Sequence, residues 1–286
     1  MLHNVLVCLD GSQGWSAQQA CQEIAYEFAA QYRARLIGLH VRPDAASLAP
    51  VVYPPEVAVG AAMAFASMEA SQRTQLAVDA VEEERAEQFV NGFLAGARSA
   101  GVEAICHSVR GDLVDEIVQF GHAADLILLP DAHAPTSPAW PLGRLCRATA
   151  RPVLLASQCV VPFRRIAVAY DGSLGADRAL QVAVDMAVNW PPPQPELILL
   201  AVSDAPHARL DVLAPAEQYL RGYSLKYRTR IATGRPSEGI VNAADEEAAN
   251  LLCMGAYNHS TLREALLGST TDEVVEQRHQ PLILCH

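Results

Sequence analysis

Positive charge and long apolar runs are both in short supply in this chain of 286 residues. The least charged stretch, Ala45 to Met68, is broken by Pro50, Pro54, Pro55 and Glu56, and its clean part, Val57 to Met68, falls short of the ~20 residues a bilayer needs. No membrane span is expected. Lys and Arg number 21 against 32 Asp and Glu, which gives a net charge of -11 and a pI near 5.2. No basic cluster interrupts that balance, so a groove for nucleic acid would have no electrostatic source. Disulfide and zinc frameworks are missing as well, because the seven cysteines are odd in number and show no C-x-x-C spacing. They are expected to be reduced core residues. The opening stretch Asn4 to Leu9 is too short for a signal-peptide core and closes on Asp10 instead of a small-residue cleavage site, so a cytoplasmic protein is expected.

What is present is apolar in a distributed way. Hydrophobic residues make up 51% and charged ones 19%, with a mean hydropathy of +0.11, which excludes a disordered chain. Domains of about 100–200 residues put two in this length. A repeat divides it accordingly. Val5-Leu6-Val7-Cys8-Leu9-Asp10-Gly11-Ser12 is echoed by Ile166-Ala167-Val168-Ala169-Tyr170-Asp171-Gly172-Ser173. Each is followed by a helical stretch, Ser16 to Tyr32 or Gly175 to Asn189, and a second apolar strand, Arg35 to Val41 or Glu196 to Val202. Further on, Val109-Arg110-Gly111-Asp112 matches Ala232-Thr233-Gly234-Arg235; a helix follows each, then the strands Asp125 to Leu129 and Asn250 to Met254. A short helix and a last strand close each half, Arg151 to Ala156 and Gln280 to Cys285.

Continuous apolar strands that alternate with helices predict an α/β fold with a mostly parallel sheet covered on both faces. Five strands per half make two doubly wound domains in tandem, residues 1–158 and 164–286, with an insert at about 43–98 in the first. Within the insert, Ser67 to Ala97 reads as a long helix, and its Glu82-Glu83-Glu84 as a solvated face. The apolar residues of Ala45 to Met68 are too many for a solvated loop. That segment is expected to cover the first-half cleft or a contact between chains.

Open parallel sheets bind ligands beyond the carboxyl ends of their strands, where strand order reverses. Asp10 and Asp171 end first strands there, and Asp171 suits a nucleoside; the same Asp-Gly-Ser also suits a plain turn and helix cap. A stronger signal follows the fourth strand of the second half: Gly255-Ala256-Tyr257-Asn258, nine residues, then Gly268-Ser269. Glycine lets backbone N–H groups approach phosphate oxygens with no Cβ in the way, Ser269 adds a hydroxyl, and the helix that starts there offers its N-terminal partial charge. Thr270 and Glu273 also have capping-box spacing, compatible with a simple helix start.

The pattern G-x2-G-x9-G-[ST] after a strand, with an Asp at the end of strand one, resembles the ATP-binding signature of the universal stress protein family. The likeness covers nearly the whole chain except the insert, and implies the adenine nucleotide alpha-hydrolase-like fold. It implies ATP, with or without Mg, as the ligand: Asp171 and the backbone of Val202 toward the adenosine, Met254 and Gly255 toward the ribose, and Asn258, Gly268, Ser269 and Thr270 toward the phosphates. Asn258 stands where the pattern has its second Gly; Asn tolerates the left-handed region, but its side chain crowds the phosphates. In the first half Pro130, His133, Gly143 and Arg144 occupy the same frame. Pro130 has no N–H to offer. That site reads as degenerate, with Arg144 open to a phosphate or to a surface or interdomain role.

Asp131, His133 and Cys146 lack metal-ligand spacing, no G-x-S-x-G elbow accompanies Ser173 and His259, and His40 reads as a strand histidine. No catalytic residue and no metal site is assigned. The expected function is stress resistance through ligand-dependent association. A non-nucleotide dimerisation scaffold and a slow ATPase or autophosphorylating protein stay open, although no P-loop lysine is visible near the motif. The last strands, Pro152 to Ala156 and Pro281 to Cys285, are equivalent apolar edges and are expected to pair as an intramolecular pseudo-dimer, with a homodimer of the whole chain as a further alternative.

Overall fold

Along the first strand the side chains sort by parity: Val5, Val7 and Leu9 join one buried cluster, and Leu6 and Cys8 the other. The same alternation divides Ile166, Val168 and Tyr170 from Ala167 and Ala169. A strand apolar at every position therefore needs helices on both faces. The computed structural model describes residues 2–9, 15–42, 81, 83–130, 140–157, 162–203, 206–256 and 269–286.

In the first half, β1 (Asn4–Leu9), β2 (Arg35–Arg42), β3 (Ala104–Arg110), β4 (Leu126–Leu129) and β5 (Val153–Leu155) run parallel. The second half repeats them as β6 (Arg165–Ala169), β7 (Glu196–Val202), β8 (Tyr227–Ala232), β9 (Leu251–Gly255) and β10 (Leu282–Cys285). The ten strands form one sheet in the order β3-β2-β1-β4-β5-β10-β9-β6-β7-β8, so each half is doubly wound with its reversal beside its first strand. The central pair, β5 and β10, is antiparallel, with Leu154 opposite Ile283. The expected pairing of last strands is thus present within the chain.

On one face lie α1 (Trp15–Tyr32), α2 (residues 83–99), α5 (Leu174–Asn189) and α6 (Pro206–Leu220). On the other lie α3 (Leu113–Gly121), α4 (Leu142–Ala148), α7 (Pro236–Glu246) and α8 (Ser269–Gln277). The halves are also clamped by aromatic rings. Phe28 and Tyr32 of α1 meet Trp190 at the end of α5 with ring centroids 6.1 and 5.6 Å apart, and Phe163 lies 5.4 Å from Phe28. The Tyr32 hydroxyl donates to the carbonyl of Met186 at 2.8 Å.

Residues 83–99 bear out the described part of the insert helix, and Glu83 is more than a solvated face because it meets Arg42 at 2.6 Å. Ala45 to Met68 lies outside the described residues. His40 is buried on β2, with Nδ1 3.3 Å from the Ser108 hydroxyl and its ring stacked on Phe89, as expected of a strand histidine. The six described cysteines are free thiols, and all but Cys106 are buried. Burial pushes Cys106 up to about 11 and Cys146 and Cys285 up to about 12, so these thiols stay protonated near neutrality. No helix of the described residues is long and apolar enough to cross a membrane.

Candidate functional site

Because β10 and β5 are antiparallel, the carboxyl ends of the two half-sheets point in opposite directions. The second-half edge is built from β6, β7 and β9. Register places Ala169 beside both Leu200 and Met254, and the ladder continues one residue past β6, where the Tyr170 N–H donates to the Leu200 carbonyl at 2.8 Å. The chain then turns sharply. Asp171 Oδ1 accepts the Ser173 N–H at 2.9 Å, and Gly172 between them has φ +82°, a conformation that suits glycine. Ser173 caps α5 by accepting the Ala176 N–H at 3.2 Å. The buried Tyr170 phenol closes the turn on Asp177 at 2.6 Å; burial first, then that bond, raises its pKa.

The turn-and-cap reading of Asp171 is therefore realised, and it leaves the residue exposed at the sheet edge. Val202 ends β7 half-buried and Met254 is buried in β9 between Ala169 and Leu284. Gly255 closes β9 opposite Cys285, and the Ala256 N–H donates to the Cys285 carbonyl at 2.8 Å. Behind Val202 stands Gly239 of α7: a Cβ there would come within 2.7 Å of Val202 Cγ1. Glycine thus lets this helix approach the end of β7.

Helix α8 starts at Ser269, with Thr270 half-buried and Thr271 buried in its first turn. Since Thr270 is already helical, the capping-box register with Glu273 is not adopted. The Glu273 carboxylate turns to α7 instead. It accepts from the Ser237 hydroxyl and from Arg235 Nη2 at 3.1 and 3.3 Å. Asn258 and Gly268 lie outside the described residues. Of the residues singled out for a nucleotide, Asp171, Val202, Met254 and Gly255 share one sheet edge, and Ser269 and Thr270 stand at the helix start on that edge.

A nucleotide fits this edge in kind: a helix N-terminus with hydroxyl residues for phosphate, and an exposed carboxylate for a base or sugar donor. Against it stands Asp272, an acid in the first turn of α8. Among the described residues no group of three or more His, Cys, Asp or Glu could hold a metal ion.

On the first-half edge the described charges pair with one another. Asp112 caps α3, its Oδ1 accepting the N–H groups of Val114 and Asp115 at 3.0 and 3.1 Å. Arg144, where the motif has Ser269, forks onto Asp112 at 2.9 and 3.0 Å and onto Asp115 at 2.7 Å. Its hydrogen bond holds the Asp112 carboxyl below the usual carboxylate range, and the partnership raises Arg144 in turn. Pro130 follows β4 buried and without an N–H, while Asp10, Asp131 and His133 lie outside the described residues. Trp140, just ahead of α4, is buried in the same cluster as Cys8, Leu39 and Leu129.

Sequence reasoning gave Glu273 to a capping box and assigned no role to Arg235 or Ser237. The signal was present in the pairing of Gly111-Asp112 with Gly234-Arg235, where the acid of one half is a base in the other.

Comparison with known proteins agrees with this architecture. A sequence model of the Universal stress protein family matches twice, over residues 1–144 and 162–286. A universal stress protein of Synechocystis is 27% identical over 140 residues, 49% of this chain and 48% of that protein. One from Methanocaldococcus jannaschii is 32% identical over 65 residues, 23% of this chain and 40% of that protein. The chain thus spans less than half the length of each of these curated relatives. A crystal structure of a universal stress protein from Archaeoglobus fulgidus superposes with a TM-score of 0.73 over 98% of this chain and 97% of its own, at 20% identity. A functionally unknown protein from Pseudomonas aeruginosa does so with a TM-score of 0.58 over 99% and 92%, at 16% identity. These structural likenesses concern the fold. With both halves matched and the repeat visible in strand order and register, the chain belongs to the universal stress protein family as a tandem member.

Proposed function

We propose that the second half binds ATP at its carboxyl edge and that the first half does not. The observation that carries this reading is the contrast between the helices that open the two edges. Helix α8 begins with Ser269 and Thr270 after a glycine-ended strand, whereas α4 carries an Arg144 already held by two carboxylates after a strand that a proline follows. Adenosine lies against Asp171 and Val202, the ribose against Met254 and Gly255, and the phosphates against Asn258, Gly268, Ser269 and Thr270. Ligand-dependent association with partners then contributes to stress resistance in the cytoplasm.

Titration calorimetry on the full chain tests this. At most one site is expected, abolished by Gly268→Val, because a branched side chain there keeps backbone N–H groups away from phosphate oxygens. Asn258→Gly is expected to tighten binding by relieving crowding at the phosphates. Two equivalent sites, or one site that survives Gly268→Val and disappears with Asp10→Ala, would reverse the assignment. Native mass spectrometry of freshly purified protein adds a direct check on whether a nucleotide is carried along.

A further inference from the structure

Arg235 occupies the N-cap position of α7 but makes no side-chain cap bond. Its side chain is 66% exposed and spans to α8, where Nη2 meets both Glu273 oxygens, while Nη1 lies 3.5 Å from Glu238. Glu273 sits four residues, about 6 Å of helix rise, beyond Ser269, the first residue of α8. A guanidinium parked there is within one side-chain swing of the anion-favouring end of that helix.

The parking contact is one that can be given up. Exposed ion pairs hold weakly. When Arg235 leaves, the Glu273 carboxylate keeps the Ser237 hydroxyl as donor and is not stranded. The matching pair in the first half is built otherwise, since the Asp112 carboxylate also caps α3 and Arg144 holds its second acid, Asp115, at 2.7 Å where Arg235 stands 3.5 Å from Glu238. Phosphate oxygens take a guanidinium in a two-pronged, charge-assisted fashion that a single shared carboxylate does not surpass.

We propose that Arg235 is the phosphate-counting residue of the second half, exchanging Glu273 for the terminal phosphates of a bound nucleotide so that the site favours di- and triphosphates over monophosphates. This rests on the nucleotide reading of the second half, and it assigns the arginine to that site by its position and its exchangeable partner.

The test is titration of the full chain with ATP, ADP and AMP at one fixed salt and Mg concentration. The wild type is compared with Arg235→Ala, Arg235→Lys and Glu273→Gln. Losing a charge-assisted hydrogen-bonded pair corresponds to about tenfold in affinity. Arg235→Ala is expected to lose about that for ATP and to leave AMP within twofold, with Arg235→Lys in between because it keeps the charge without the fork. Glu273→Gln is expected to strengthen ATP by removing the competitor. Wild-type and Arg235→Ala protein with the same ATP to AMP ratio would overturn the inference while leaving the nucleotide reading intact, as would weaker ATP binding by Glu273→Gln. Absence of any adenine nucleotide binding by the wild type would instead overturn the nucleotide reading and this inference with it.

Discussion

The two carboxyl edges are made from the same parts and finished with opposite chemistry. In the first half the last residues of β2 and β3, Arg42 and Arg110, sit side by side in register, and Arg144 stands at the start of α4. The matching positions in the second half hold Ser203, Thr233 and Ser269, all hydroxyl residues. Carboxylates follow the arginines: Glu83 takes Arg42, and Asp112 with Asp115 takes Arg144. Glu116 also folds against Gly111, since a Cβ there would meet its Oε1 at 2.6 Å, while nothing lies within 4 Å of the equivalent point on Gly234. Among the described residues, arginines paired with carboxylates stand at the first-half edge where hydroxyl residues stand at the second. Duplication preserved the sheet, which needs only apolar strands of the right parity, and let the ends diverge, because little of the packing depends on them.

The largest effect is expected where the second half is made to copy the first. Gly239 matches Glu116 in the repeat, and its missing Cβ is what lets α7 approach Val202. Gly239→Glu forces Val202 or the helix to move, an overpacking that costs about 1–3 kcal/mol. Urea denaturation should show that loss, and calorimetry should show any nucleotide affinity falling with it. Unchanged stability would mean that the approach of α7 to β7 is not a constraint and that the halves differ less than their sequences do.

A smaller effect separates the two inter-helix pairs. Asp112→Ala removes a helix cap as well as the partner of Arg144, and the cap alone is worth about 1 kcal/mol. Arg235→Ala removes an exposed pair with no cap and should cost at most a few tenths of a kcal/mol. The pH dependence follows from the lowered Asp112 carboxyl. A folded pKa below the unfolded value gives stability that is fully present above the unfolded pKa, near 4, and is lost as the pH falls through the folded one. Carbon-detected NMR titration of the Asp112 carboxyl should show its midpoint below the usual range and moving up toward it in Arg144→Leu.

The inner strands β1, β2, β4, β6, β7 and β9 are legible in the sequence because burial on both faces leaves one strong mark, an unbroken apolar run ended by a turn, which the half-exposed outer strands β3 and β8 lack. Edge pairing of Pro152 to Ala156 with Pro281 to Cys285 is legible for the same reason, as two apolar strands with nothing else to cover them. The Glu273 contacts are not. Thr270 and Glu273 read equally well as a capping box, and the partners that claim the carboxylate, Arg235 and Ser237, lie 38 and 36 residues away on another helix. Local spacing carries information about a helix end, whereas an inter-helix ion pair depends on how two helices lie on a sheet. The fate of Arg144 was open in sequence between a phosphate and the surface. In the structure its partners are Asp112 and Asp115, brought to it by the return of the chain to the same face.

The smallest expected effect is none at all, and it bears on whether the first half is one substitution away from the second. Pro130→Gly restores a backbone N–H after β4, and Arg144→Ser restores the hydroxyl at the start of α4. Neither alone is expected to create nucleotide binding in a chain whose second site is disabled by Gly268→Val. With Pro130→Gly alone, Arg144 still grips Asp112 and Asp115 at the position that matches Ser269. With Arg144→Ser alone, two uncompensated carboxylates, Asp112 and Asp115, are left to repel an anion, and the proline still withholds its N–H. Calorimetry on both single variants and the double variant in that background measures the barrier between the halves directly. A site regained by either single change would show that the ion pairs are a covering that is easily removed, and that the first half is a reversible copy of the second.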